Sequence, residues 1–354
     1  MDPGCSPARH EFVPRWWHRG PAGWTLNEGE DDHLRWLDTA YSDRSLITSV
    51  GPLHADHAEQ NDRPVGLPTS SSTLPSLVVR MFQHARLGDR DQLLDVGTGS
   101  GYGTALACLR LGDFQVTSID VDPYLVDAAR ERLEHLELRP DLAALDATGE
   151  LPGAYDRIVA TVGVRPVPAG WLAALRPGGR LVTTIGGTSL IVTAEKQQDG
   201  SAVGRVERDR AGFMRTGHGP DYPPGSREIL AAAREHDGES VTTGQYPVVD
   251  VEQAWDLASM LDITVPGILY GYAEDRGLRT AWLTHPDGSW ARATASGFAP
   301  PTVHQSGDRR LSDTLDEIRA HWLQHGELPV RSARVLITPD GRARLARGAW
   351  RAEL

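Results

Sequence analysis

The chain has 354 residues, enough for two domains and a full hydrophobic core. Lys+Arg number 36 against 48 Asp+Glu, a formal charge of −12, which argues against a nucleic-acid partner because neutralising phosphates takes a basic surface. The two cysteines, Cys5 and Cys108, exclude a disulfide framework and a cysteine zinc site. No run has the apolar length of a membrane span or the layout of a secretory leader, so a cytoplasmic protein without a membrane partner is expected.

Residues 1–30 are rich in Pro, Gly and Trp without periodicity and read as a loop-rich arm packed by Trp16, Trp17 and Trp24. Asp31 to Ala40 has helical spacing. The run His54-Ala55-Asp56-His57 brings two imidazoles and a carboxylate together. No third histidine stands at metal spacing, so no metal is expected and the run reads as a solvated loop. Pro68-Thr69-Ser70-Ser71-Ser72-Thr73-Leu74-Pro75 leads into a helix, Ser76 to Arg86. Helix-start chemistry accounts for part of this run, but five consecutive hydroxyls exceed what one cap needs and could hold a substrate carboxylate.

Leu93 to Val96 is a strand that ends in the turn Asp95-Val96-Gly97-Thr98-Gly99-Ser100-Gly101-Tyr102, and a helix follows from Thr104 to Leu111 with Cys108 inside it. Glycines let the backbone approach a ligand, and the new helix presents free N–H groups there. Val116 to Ile119 is the next strand, and Asp120 at its tip is placed to accept from both ribose hydroxyls. A dinucleotide turn spaces its third glycine as G-x-G-x-x-G. Here Gly101 comes one residue early, which favours an adenosyl cofactor over a nicotinamide one without settling it.

The alternation continues with a helix from Pro123 to Leu136, a strand Leu142 to Leu145 ending on Asp146-Ala147, a strand Ala154 to Thr161, a helix Val167 to Leu175 and a strand Arg180 to Ile185. Two β-rich stretches, Leu190 to Lys196 and Val203 to Arg215, come next. This pattern predicts a doubly wound, Rossmann-like α/β sheet with its ligand at the carboxyl ends of the strands. Around 217–240 the pattern dissolves into Gly, Pro and charge. Beyond it an α+β module is expected: a helix near Val251 to Leu261, four strands between Ile268 and Gln305, a helix Leu311 to His325, and a hairpin Ala333 to Thr338 and Arg342 to Ala346. The divisions are 1–88 (arm and lid), 89–216 (cofactor domain) and 226–354 (C-terminal module). Arg331, Arg334, Arg342, Arg344, Arg347 and Arg351 crowd its end, either as a solvated strand face or as a dock for an acidic peptide.

Four runs together resemble the protein-L-isoaspartate O-methyltransferases, a branch of the class I S-adenosylmethionine-dependent methyltransferases. They are Arg9-His10-Glu11-Phe12-Val13-Pro14, Ala40-Tyr41-Ser42-Asp43-Arg44-Ser45-Leu46, Ser71-Ser72-Thr73-Leu74-Pro75, and Leu94 to Tyr102. The resemblance implies S-adenosylmethionine as cofactor and S-adenosylhomocysteine as product. It places Asp95, Gly97, Thr98, Gly99, Ser100, Gly101, Tyr102, Asp120 and Val121 on the cofactor, with Asp146 and Ala147 at its adenine. Ser71, Ser72 and Thr73 become the catalytic wall, and Ser70, Val162, Gly163 and Arg165 bind substrate. Two departures, the extra C-terminal module and Val162-Gly163-Val164-Arg165-Pro166, are similar to the branch encoded with graspetide and lanthipeptide clusters. That likeness implies methylation of an aspartate in a modified precursor peptide, the ester then closing to an aspartimide. General isoaspartate repair is the alternative, and a nicotinamide oxidoreductase is a remote one.

Overall fold

The computed structural model describes residues 7–21, 23–214 and 226–354. The N-terminal part comprises β1 (Arg15–Gly20), β2 (Gly23–Glu28), α1 (His33–Tyr41), β3 (Leu46–Val50), β4 (Leu53–His54), β5 (Pro68–Ser72) and α2 (Pro75–Ala85). Its strands form one sheet in the order β2-β1-β3-β4, with β5 also paired to β3. The expected loop-rich arm is therefore a hairpin. Trp16 and Trp17, adjacent on β1, are both buried. With both faces of the strand covered, the in–out alternation that reveals a strand in sequence is lost.

The middle of the chain supplies β6 (Leu93–Val96), α3 (Tyr102–Leu111), β7 (Val116–Asp120), α4 (Pro123–His135), β8 (Asp141–Ala144), β9 (Tyr155–Val164), α5 (Ala169–Ala174), β10 (Leu175–Ile185), β11 (Leu190–Lys196) and β12 (Ala202–Arg210). Strands β8-β7-β6-β9-β10 run parallel, as the alternation predicts. Leu94, Ile158, Leu181 and Val192 pack on one side, while Leu93, Val159, Val182 and Ile191 pack on the other. Both faces of these strands are buried, so they read as continuous apolar runs. The central strand β6 has β7 on one side and β9 on the other. The strand order reverses there, which opens a crevice at its carboxyl end.

The remainder comprises α6 (Ser226–Glu235), β13 (Ser240–Thr243), α7 (Trp255–Thr264), β14 (Leu269–Asp275), β15 (Leu278–Thr284), β16 (Trp290–Ser296), β17 (Thr302–Ser306), α8 (Leu311–His325), β18 (Arg334–Ile337), β19 (Ala343–Arg347) and β20 (Trp350–Glu353). It does not form one separate module. Strands β13 to β17 make an antiparallel sheet of their own, whereas β18, β19 and β20 extend the large sheet to ten strands by pairing β18 with β12. Helix α6 and strand β13 lie where the pattern was expected to dissolve. The run Ser226–Glu235 is rich in strong helix formers, but the preceding Gly and Pro residues hide it. The glycine- and proline-rich boundary itself, 217–225, lies outside the described residues.

Of the six crowded arginines, Arg331 pairs with Asp256, Arg342 with Asp340, Arg344 with Glu353 and Arg347 with Glu327. These four are ion-paired within the chain. No helix among the described residues is long and apolar enough to cross a membrane.

Candidate active site

The glycine turn closes β6 onto α3. Gly97, Gly99 and Gly101 have φ of 97°, 50° and 89°, a region that side chains enter only with strain. The turn is also crowded. A Cβ on Gly97 would stand 2.9 Å from Thr161 Oγ1, and one on Gly99 would stand 3.3 Å from the Ser71 carbonyl oxygen. The turn thus touches the end of β9 on one side and the hydroxyl strand β5 on the other. Gly101 caps α3 without a side-chain hydrogen bond, and the Tyr102 N–H reaches Ser100 Oγ at 3.5 Å, so the N–H groups of the next helical residues, Gly103 and Thr104, face the turn as possible donors.

Asp120 stands at the tip of β7. Its Oδ2 accepts from the Gly99 N–H at 2.9 Å and its Oδ1 from the Asp122 N–H at 3.2 Å. Burial pushes this carboxyl up, and the two backbone bonds oppose the shift. Each oxygen retains acceptor capacity for a ribose hydroxyl. Beside it Val121 is 41% exposed, an apolar side chain open to a flat ring. The Leu145 N–H bonds to the Asp120 carbonyl at 2.8 Å, which brings Asp146 and Ala147 alongside. Asp146 Oδ1 accepts from the N–H and hydroxyl of Thr148 at 2.9 and 2.7 Å. Ala147 accepts the Trp171 indole N–H at 2.6 Å.

Asp95 lies beneath the turn. It accepts from Thr104 at 2.8 Å and Ser118 at 3.1 Å, and Ser118 meets Thr98 at 2.7 Å. Burial pushes its carboxyl up to about 6, against the pull of both hydroxyls. Its role is to brace Thr98 and the turn from below. Ser100 is buried as well. Tyr102, expected on the cofactor, is packed inward, its ring 5.9 Å from Phe12 and 5.6 Å from the Arg9 guanidinium.

The hydroxyl run divides by strand alternation. Ser70 and Ser72 are buried while Ser71 and Thr73 are half-exposed. Ser70 accepts a hydrogen bond from Thr48 at 3.0 Å, and the Ser72 hydroxyl is enclosed without a partner. Neither belongs to a substrate-facing wall, which corrects the expectation for both. The side-chain hydroxyls of Ser71 and Thr73 have no hydrogen-bond partner among the described residues, and they remain the available donors.

Val162 and Gly163 end β9 next to the turn, since a Cβ on Gly97 would lie 3.1 Å from Val162 Cγ1. The Gly163 N–H bonds to the Met214 carbonyl at 2.7 Å. Arg165, expected on substrate, is instead ion-paired with the buried Asp262 of α7.

Two groups escape the sequence reading. Arg9 is 1% exposed and donates to the carbonyls of Ala40, Ser42, Arg44, Ser72 and Thr73 at 2.6–3.2 Å, so it carries the hydroxyl strand. The supposed solvated loop is an anchor. His54 is buried, and Asp56 Oδ2 accepts from Tyr124 at 2.8 Å and Arg132 at 2.6 Å on α4. Arg132 also reaches the Ser100 carbonyl at 3.4 Å. Desolvation takes His54 down to about 4, so it is a neutral imidazole.

A family model described as protein-L-isoaspartate(D-aspartate) O-methyltransferase matches residues 53–212 and stops before α6. The protein-L-isoaspartate O-methyltransferase of Paracoccus denitrificans is 34% identical over 145 residues, 40% of this chain and 66% of the relative. That of Thermococcus onnurineus is 32% identical over 148 residues, 40% of this chain and 67% of the relative. The chain thus spans about two thirds of the length of these relatives. A solved structure named protein-L-isoaspartate O-methyltransferase aligns over 88% of each chain at 18% identity, with a TM-score of 0.48.

Proposed function

Since the chain belongs to the protein-L-isoaspartate O-methyltransferase family, we propose that it methylates the side-chain carboxylate of an isoaspartyl residue in a peptide or protein, with S-adenosylmethionine as donor. The observation that carries this reading is the contact between Gly99 and Ser71. It sets the cofactor turn directly against a strand bearing open hydroxyls.

The residues present suit the cofactor. Asp120 would hold the ribose, Val121 and Asp146 would flank the adenine, and the open start of α3 would receive the methionine carboxylate. When bound, the cofactor supplies an electrophilic methyl group on a sulfonium. The acceptor carboxylate is already ionised at neutral pH, so no general base is required of the chain. What the chain supplies is placement and exclusion of water. Ser71 and Thr73 would orient one carboxylate oxygen and leave the other free to attack. Arg9 keeps those hydroxyls in position by holding the carbonyls of Ser72 and Thr73.

Thr73→Ala is expected to lower turnover roughly 10- to 100-fold through misplacement, with cofactor affinity unchanged by calorimetry. Unchanged turnover would remove Thr73 from the site.

A finer reading, methylation of an aspartate in a modified precursor peptide, is favoured by one observation: strands β13 to β17 build a sheet of their own beyond the matched region. Mass spectrometry separates the two readings. Methyl ester on unrelated isoaspartyl peptides supports the general substrate. Ester on one crosslinked peptide alone, followed by loss of methanol, supports the precursor.

A further inference from the structure

The antiparallel sheet β13 to β17 is covered by α8 on one face and by α6 over part of the other. The uncovered part forms a shallow cavity broadly open to solvent. Strand register lays two rows of side chains across its floor. Thr280, Thr294 and Thr302 stand opposite one another on β15, β16 and β17, and Trp282, Arg292 and His304 form the adjoining row.

Arg234 of α6 lies 5.2 Å over the Trp282 ring, and stacking on an indole holds a cation in place without neutralising it. Arg292 is oriented by the carbonyls of Ala233 and Arg234 at 3.1 and 2.6 Å. Neither arginine has an acidic partner among the described residues, although carboxylates outnumber cations in the chain. The Trp282 indole N–H is enclosed and lacks an acceptor among the described residues. Glu235 is the lone carboxylate in the lining.

Two guanidiniums without an acidic partner and a threonine row make a donor-rich surface with Glu235 as its one lining carboxylate. We propose that this cavity binds an acidic stretch of the polypeptide substrate, separate from the residue that is methylated. The proposal rests on the methyltransferase reading for the identity of the substrate, but not for the existence of the site. Carboxylates of the bound stretch would take the Arg234 and Arg292 donors, and the threonine row would bond its backbone.

The test is fluorescence anisotropy of the full chain with a fluorescein-labelled glutamate-rich decapeptide, with a lysine-rich decapeptide as control. The expected result is binding of the acidic peptide alone. Arg234→Gln and Arg292→Gln should each weaken it roughly 10-fold, the effect of losing one donor to a charged group. Arg234 is exposed, so its replacement leaves the fold intact. Cofactor affinity should stay unchanged in both variants. Equal binding by wild type and both variants, or binding of both peptides alike, would overturn the proposal. Acidic-peptide binding without any methyl transfer would sink the reaction and leave the site. Methyl transfer without acidic-peptide binding would do the reverse.

Discussion

The N-terminal region and helix α7 are held in place by different means. On the N-terminal side a single buried side chain, Arg9, gathers backbone carbonyls from two stretches of that region, 40–44 and 72–73. On the C-terminal side helix α7 is held by pairs of side chains: Arg165 with Asp262, Ser189 with Ser259 at 2.9 Å, and Arg331 with Asp256 at 2.6 Å. Carbonyl acceptors are present whatever the residue, so the Arg9 arrangement depends on one position and fails all at once. Side-chain pairs depend on two positions each and can be lost one by one. The part of the molecule that places the open hydroxyls has the all-or-none anchor.

Three substitutions probe that contrast, the severest first. Arg9→Met should destabilise the fold by about 3–5 kcal/mol, because the carbonyls it served are left buried without a donor, and should abolish methyl transfer. A melting temperature close to wild type would dissolve the contrast. Asp262→Asn leaves Arg165 beside a neutral partner and should destabilise by about 2–3 kcal/mol. Because Arg165 follows Val162 and Gly163, kcat/KM for peptide should also fall, and Asp262→Glu should recover part of it. Loss of stability without a kinetic change would show α7 to be a scaffold only. Arg351→Ala should move stability by less than about 0.5 kcal/mol, since among the described residues its guanidinium meets only the nearby carbonyls of Gly348 and Trp350. A larger drop would mean that the edge strand β20 bears on the rest of the sheet.

What could be read beforehand follows the range over which each signal acts. The turn from Asp95 to Gly101 and the carboxylate of Asp120 were legible, because strand period, glycine spacing and the tip position are local. The hydroxyl run was legible as a run. Which of its members face outward depends on pairing with β3, where Ser71 meets Ile47 and Ser72 meets Leu46, and nothing within the run itself states that register. Arg9 could be seen as part of a motif, but its acceptors are backbone groups, which leave no mark on residue identity. Asp56 reads as solvated from its neighbours because its partners, Tyr124 and Arg132, lie 68 and 76 residues away. The resemblance places Arg165 on substrate, and nothing local points to its carboxylate, 97 residues distant. The hairpin near the end was found, while its attachment to β12 was not, since any antiparallel edge can serve a strand equally well by local criteria.

That attachment bears on how the molecule is made. Strand β12 ends at Arg210, and the strand that covers it begins at Arg334. During synthesis, its unpaired edge must therefore wait while more than a hundred intervening residues emerge, a long-range closure that is slow and open to association with other chains. The residues that finish the large sheet thus also act as its stopper, and a nascent chain halted before them would present a bare β edge to its neighbours.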